Sequence, residues 1–106
     1  MAYLKRLDES EKFLRQALRL QPRLVPGYHA LLQVLMLGGR KLPEAKTLAR
    51  RLVSLQPTAG NYVLLSNLCL KTGDRAAALS AMGRASELAP GNAKIQQAYK
   101  TLKERR

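Results

Sequence analysis

Three prolines constrain this chain more than any other feature. Pro22, Pro57 and Pro90 each close a stretch of helical pattern, in LRLQP (18–22), VSLQP (53–57) and SELAP (86–90), and they stand 35 and then 33 residues apart. A period near 34 residues requires one unit of supersecondary structure to recur and stack on itself. Leu20, Leu55 and Leu88 lie two residues before the prolines; Ala17, Leu52 and Ala85 lie five before. Leu14, Ala49 and Met82 lie eight before, and Ser10, Ala45 and Ala78 twelve. Steps of three and four put these side chains on one face of an α-helix, and that face is expected to be buried. The small residues Ser10, Ala45 and Ala78 are expected where two antiparallel helices cross closely, because a larger side chain would wedge them apart.

A second helix precedes each of the last two of these. HALLQVLMLGG (29–39) aligns with YVLLSNLCLKTG (62–73), placing His29 over Tyr62, Leu32 over Leu65, Gln33 over Ser66, Leu35 over Leu68 and Met36 over Cys69. Each is followed by a turn, GGRKLPEA or TGDRAAA. Glycine there supplies the positive φ that ends a helix, Pro43 suits a first helical turn, and Asp74 and Asp8 are candidate N-caps, Asp8 with Glu11 as a capping box. The spacing predicts helices near 8–20, 27–38, 43–55, 60–72, 75–88 and 92–104. A Leu- and Ala-rich composition with few β-branched residues agrees with an all-α fold.

The unit from Tyr62 to Pro90 resembles the tetratricopeptide repeat, with matching residues at Tyr62, Leu65, Gly73, Ala78, Met82, Ala85 and Pro90. The unit at about 26–57 departs from that pattern at His29, Gln33 and Ala49, and residues 6–22 match only a second helix. The resemblance implies a right-handed α-solenoid of stacked antiparallel helical hairpins in a single domain, residues 1–106. Its parts would be a partial repeat (1–25), repeats at 26–58 and 59–91, and a C-terminal capping helix (92–106), with Ile95, Tyr99 and Leu102 on the inner side. The first helix lacks a preceding partner, MAYLK looks like the remnant of one, and its bare face is expected to favour self-association in a fragment of a longer array.

In this family the first helix of each unit lines a concave surface that binds peptides. The resemblance thereby nominates Ala30, Val34 and Leu37, then Val63, Asn67 and Leu70 with Lys71 at the rim, then Lys94, Gln97 and Thr101. The alternative is that Val34, Leu37 and Val63 pack against the next coil of a longer array. One subgroup clamps carboxylates of chaperone tails through lysines and asparagines. Asn67 fits one such place, but Val63 and Ala30 stand where lysines would be needed.

The chain carries 19 basic and 7 acidic residues, a formal charge of +12, which biases encounters toward acidic proteins, nucleic acid or anionic lipid. The stretch AGNYVLLSNL also resembles pentatricopeptide proteins, making an RNA-binding helical-repeat module the alternative function. Against it, that family reads bases from its first helices, where this chain has Val and Leu. Most basic residues, including Arg15, Arg19, Lys46, Arg50, Arg51 and Arg84, fall on second helices, expected to form the outer wall. Cys69 and His29 are each the sole residue of their type, so no disulfide, metal or cofactor pattern exists. His29 is expected in the core or at a hinge and Cys69 in the core. Neither has a catalytic partner, so an enzyme is not expected. Apolar runs such as Val34 to Leu37 are far shorter than the roughly 20 residues of a membrane span, and the basic outer face lacks the anchors of a membrane-surface helix. The expectation is a cytoplasmic protein-interaction scaffold that holds a peptide or partner protein.

Overall fold

The computed structural model describes the backbone of residues 2–39 and 41–104 and the side chains of 6–39 and 41–104. Every regular element among them is an α-helix: α1 (Ala2–Leu20), α2 (Val25–Gly38), α3 (Leu42–Leu55), α4 (Ala59–Lys71), α5 (Arg75–Leu88) and α6 (Ala93–Glu104). The all-α expectation holds, and five of the six helices begin and end within two residues of the expected positions. Two compact units result, unit 1 (Met1–Leu55) with α1–α3 and unit 2 (Gln56–Arg106) with α4–α6.

The ends of the helices follow from local chemistry. Gly39 (φ 66°) and Gly73 (φ 78°) take the left-handed conformation just beyond α2 and α4, where a side chain would be strained. Asp74 caps α5, its Oδ1 accepting from the Ala77 amide at 3.1 Å, and Thr58 caps α4 by accepting from the Asn61 amide at 3.2 Å. Asn92 Oδ1 accepts from the Ile95 amide at 3.1 Å at the start of α6. Pro26 and Pro43 both stand second in their helices, where the missing amide proton costs nothing.

In unit 2 the core is the seam between α4 and α5. Leu68, Cys69, Ala78 and Ala85 are fully buried, and Leu65, Ala81 and Met82 nearly so. Ser66 is buried with them and donates its Oγ hydrogen to the Ala78 carbonyl at 2.7 Å, tying the two helices at the alanine crossing. On the other flank of α5, Gly83 lets the Tyr99 ring of α6 approach: a Cβ added there would lie 3.3 Å from Tyr99 Cε1. Gln96 of α6 completes that junction by donating its Nε2 hydrogens to the Ser86 and Ala89 carbonyls, each at 3.0 Å.

In unit 1, α2 packs against both α1 and α3 and contributes Tyr28, Leu31, Leu32 and Leu35 to the core beside Ala45, Ala49 and Leu52 of α3. Tyr28 is the buried aromatic, its hydroxyl donating to the Pro22 carbonyl at 2.8 Å. His29 is exposed, which corrects the expectation of a core or hinge residue. Helix periodicity carries the reason, since Tyr28 shares a face with Leu31, Leu32 and Leu35 and turns its neighbour outward.

The first helix also departs from expectation. It runs from Ala2, so Asp8 lies inside it rather than at its start, and residues 2–5 extend it rather than forming a separate helix. The side chains of 1–5 and all of Arg40 lie outside the described residues. Ser10 is exposed where Ala45 and Ala78 are fully buried, so among the described residues of unit 1 its face of α1 is open. Leu20 (77% exposed) and Leu88 (46%), two before their prolines, face solvent rather than the core, while Leu55 at the same offset is half-buried.

Glu11 faces α3. Its Oε2 accepts from Lys41 Nζ at 2.7 Å and from Arg15 Nε at 2.8 Å, while Arg15 also pairs with Glu44. The Lys41 hydrogen bond holds the Glu11 carboxyl below the usual carboxylate range; burial opposes it and Arg15 adds to it. Burial works against the Arg15 charge, but its hydrogen bonds to Glu11 and Glu44 prevail and raise its pKa. A carboxyl lowered in the folded state contributes stability above its unfolded pKa and loses it as pH falls through the folded value. Glu11→Gln is therefore expected to cost about 1 kcal/mol at neutral pH. Urea denaturation at neutral and acid pH checks this, since the gap between wild type and variant should close in acid. An equal gap at both pH values would assign the loss to something other than ionisation.

Candidate functional site

Unit 2 contains an open recess of about 640 Å³ between α4 and α6, with α5 beneath. Leu70, Met82, Ala93, Ala98 and Leu102 form its apolar surface, and Asn67, Arg75, Lys94, Gln97 and Thr101 stand around it. The arrangement follows from helix geometry. Asn67 and Leu70 are three residues apart on α4, and Lys94, Gln97, Ala98 and Thr101 step along one side of α6 by three and four, while Leu102 on the flank turns into the core.

Five sequence-nominated residues meet here: Asn67, Leu70, Lys94, Gln97 and Thr101. Leu70 is 42% exposed, a large apolar side chain open to a partner. Gln97 Nε2 donates to Thr101 Oγ1 at 3.3 Å, a bond that does not use the side-chain carbonyl oxygen. Arg75 is held at the edge by donating Nη2–H to the Leu102 carbonyl at 2.9 Å. Val63 is half-buried and Lys71 exposed, and neither lines the recess.

Ala30, Val34 and Leu37 belong to unit 1. Ala30 and Val34 are half-buried on α2, and Leu37 is 57% exposed. Val34 borders a crevice of about 20 Å³ beside Leu7, Leu35 and Gly38.

Sequence reasoning overlooked Arg75, Met82, Ala93, Ala98 and Leu102 as recess residues. Met82 and Leu102 read as core by periodicity, and both are indeed buried, yet each presents one edge to the recess. Ala93 and Ala98 carry only a methyl group, which leaves space rather than a pattern. Arg75, beside the capping Asp74, reads as a turn residue. Cys69 is buried as expected. Among the described residues no group of three or more His, Cys, Asp or Glu gathers as a metal site would need, and no helix is long and apolar enough to cross a membrane. Arg84 is exposed on α5, its Cζ 5.8 Å from the Tyr62 ring centroid and its Nη1 3.1 Å from Glu87.

Comparison with known proteins gives the same architecture. The family model for the tetratricopeptide repeat matches residues 2–24 and 59–92, together more than half of the chain. The first segment spans α1 and the second spans α4, α5 and the turn after them, while the unit that departs from the pattern at His29 and Gln33 goes unmatched. Among solved structures, the chain is similar to a thermophilic TPR protein of Thermus thermophilus, with 25% identity and a TM-score of 0.75 over 91% of this chain and 49% of that one. It is also similar to a mutant O-GlcNAc transferase of Thermobaculum terrenum, with 24% identity and a TM-score of 0.71 over 91% of this chain and 18% of that one. The chain thus spans about half the length of the first and under a fifth of the second. No curated protein sequence matches it. The fold is an all-α helical repeat of the solenoid class.

Proposed function

The chain belongs to the tetratricopeptide repeat family, and from that premise we propose that the unit 2 recess receives a peptide segment of a partner protein. A helical-repeat scaffold for protein interaction is the role that family membership supports. The site assignment rests on one observation: Asn67 and Leu70 on α4 and Lys94, Gln97 and Thr101 on α6, nominated as one groove line, border the same recess.

The chemistry suits a peptide. Leu70 and the methyl groups of Ala93 and Ala98 offer apolar area to a ligand side chain, each buried methylene contributing about 0.8 kcal/mol. The Asn67 amide has both a donor and an acceptor for a ligand backbone, and Gln97 retains an acceptor. Because α6 is locked to α5 through Gly83–Tyr99 packing and the Gln96 hydrogen bonds, the receptor side has little ordering cost on binding. Lys71 and Val63 flank this surface, and in unit 1 the same reading gives Leu37 the part of an exposed contact, with Ala30 and Val34 behind it.

Leu70→Glu is expected to weaken capture of a bound partner at least tenfold, because it puts a charge into the apolar surface while altering a side chain already open to solvent. Affinity capture from the source lysate, with the variant's helicity verified by circular dichroism, provides the check. An identical set of captured proteins for wild type and variant removes the recess from the reading.

A further inference from the structure

Unit 1 contains a second opening, made from different parts of the repeat. It is a cleft of about 540 Å³ on the side formed by α1 and α3, the second helices of their pairs. Leu18, Leu31 and Leu48 form its apolar floor, with Pro22 and Tyr28 at one end. Arg15, Arg19 and Arg51 stand around it, and no carboxylate lines it.

The three arginines differ in a way that defines the site. Arg15 is engaged by Glu11 and Glu44. Arg19 and Arg51 make no ion pair among the described residues. Two guanidinium groups without counter-charges, from separate helices over a leucine floor, form an acceptor for an anion attached to an apolar body. A guanidinium binds a carboxylate through two parallel N–H···O bonds, and the leucines beside these two offer an apolar surface to the rest of the ligand.

We propose that this cleft is a second binding site, for an acidic peptide segment whose carboxylates pair with Arg19 and Arg51 while an adjacent aliphatic side chain rests on Leu18, Leu31 and Leu48. A peptide is favoured over nucleic acid by the composition of the wall. Sequence-tolerant binding of single strands needs aromatic faces open for stacking, and the one aromatic here, Tyr28, is 3% exposed with its hydroxyl committed to Pro22. The floor is aliphatic, which suits Leu or Ile from a peptide. The site also gives part of the +12 charge a specific place, on the second helices rather than in the recess of unit 2.

The test uses the full chain and an acetylated, amidated peptide of sequence Glu-Glu-Leu-Glu-Leu-Glu-Glu, titrated by calorimetry and followed by NMR of the arginine side-chain N–H resonances. Binding should shift the Arg19 and Arg51 signals, and Arg19→Gln with Arg51→Gln should weaken it by about tenfold or more for each arginine. Arg6→Gln with Lys100→Gln removes the same charge elsewhere and should leave affinity within about twofold. Arg51→Lys keeps the charge but loses the fork, and should weaken binding by an intermediate factor. Equal losses for the two double variants would reduce the effect to net charge and overturn the site. A short single-stranded RNA that shifts the same two arginine signals at lower concentration than the peptide would overturn the peptide assignment, as would equal binding of a peptide with Lys replacing each Glu.

Discussion

Ala78→Leu is expected to lower the thermal midpoint of unfolding by roughly 8–30 °C. Ala78 has no exposed surface and sits where α4 and α5 cross, with the Ser66 hydroxyl 2.7 Å from its carbonyl oxygen. Three further heavy atoms have no space there unless the helices separate. Separation would stretch the Ser66 bond and open gaps around Leu68 and Cys69, which are also fully buried. Overpacking costs about 1–3 kcal/mol, and loss of a buried hydrogen bond adds about 1 kcal/mol. Each kcal/mol moves the midpoint of a chain of this size by about 4–8 °C. Differential scanning calorimetry of wild type, Ala78→Leu and Ala78→Gly decides it. Glycine should cost only about 1 kcal/mol through helix propensity, so an equal drop for both variants would mean the crossing is not sterically tight.

The same crossing explains why much of the fold is legible in the sequence. Recurrence of a small residue twelve positions before each proline is a packing requirement written three times, and at Ala45 and Ala78 the requirement is met. Ser10 carries the same letter of the pattern but is exposed, because burial depends on a partner helix that a helix's own sequence does not contain. Asp8 and Glu11 illustrate a related limit. Their spacing fits a capping box, yet Glu11 reaches across to Lys41 beside α3, 30 residues away, and local spacing carries no information about such a contact. His29 was misplaced because its aligned partner Tyr62 is itself only half-buried; the position that turns fully inward lies one residue earlier, at Tyr28 in α2 and Asn61 in α4.

The candidate sites were legible unevenly for physical reasons. Recess residues that repeat at helical spacing on α4 and α6 could be read as a stripe. The contributions of Ala93 and Ala98 are volume left empty, and that of Arg75 depends on its bond to Leu102, so neither has a sequence signature. The arginines on the second helices were visible as charge. Which of them is neutralised depends on Glu11 and Glu44 converging on Arg15, and this pairing separates Arg19 and Arg51 from their neighbour.

Leu68→Ala is expected to destabilise unit 2 by about 2–5 kcal/mol, whereas Leu88→Ala, the same substitution in the same unit, should cost under about 1 kcal/mol. Leu68 is wholly enclosed in the seam between α4 and α5, so truncation forfeits its transfer free energy and leaves a cavity that two helices joined by a short turn cannot close. Leu88 is 46% exposed at the end of α5, where water replaces the lost atoms without leaving a void. A leucine two residues before a closing proline looks as hydrophobic in sequence as one in the middle of α4, and only the geometry of the turn distinguishes them. Urea titrations of both variants measure the difference directly, with unchanged m-values confirming that the unfolding transition remains the same. Equal costs would mean that the exposed leucine is covered in solution, and a loss under about 1 kcal/mol at Leu68 would place the core somewhere other than the α4–α5 seam.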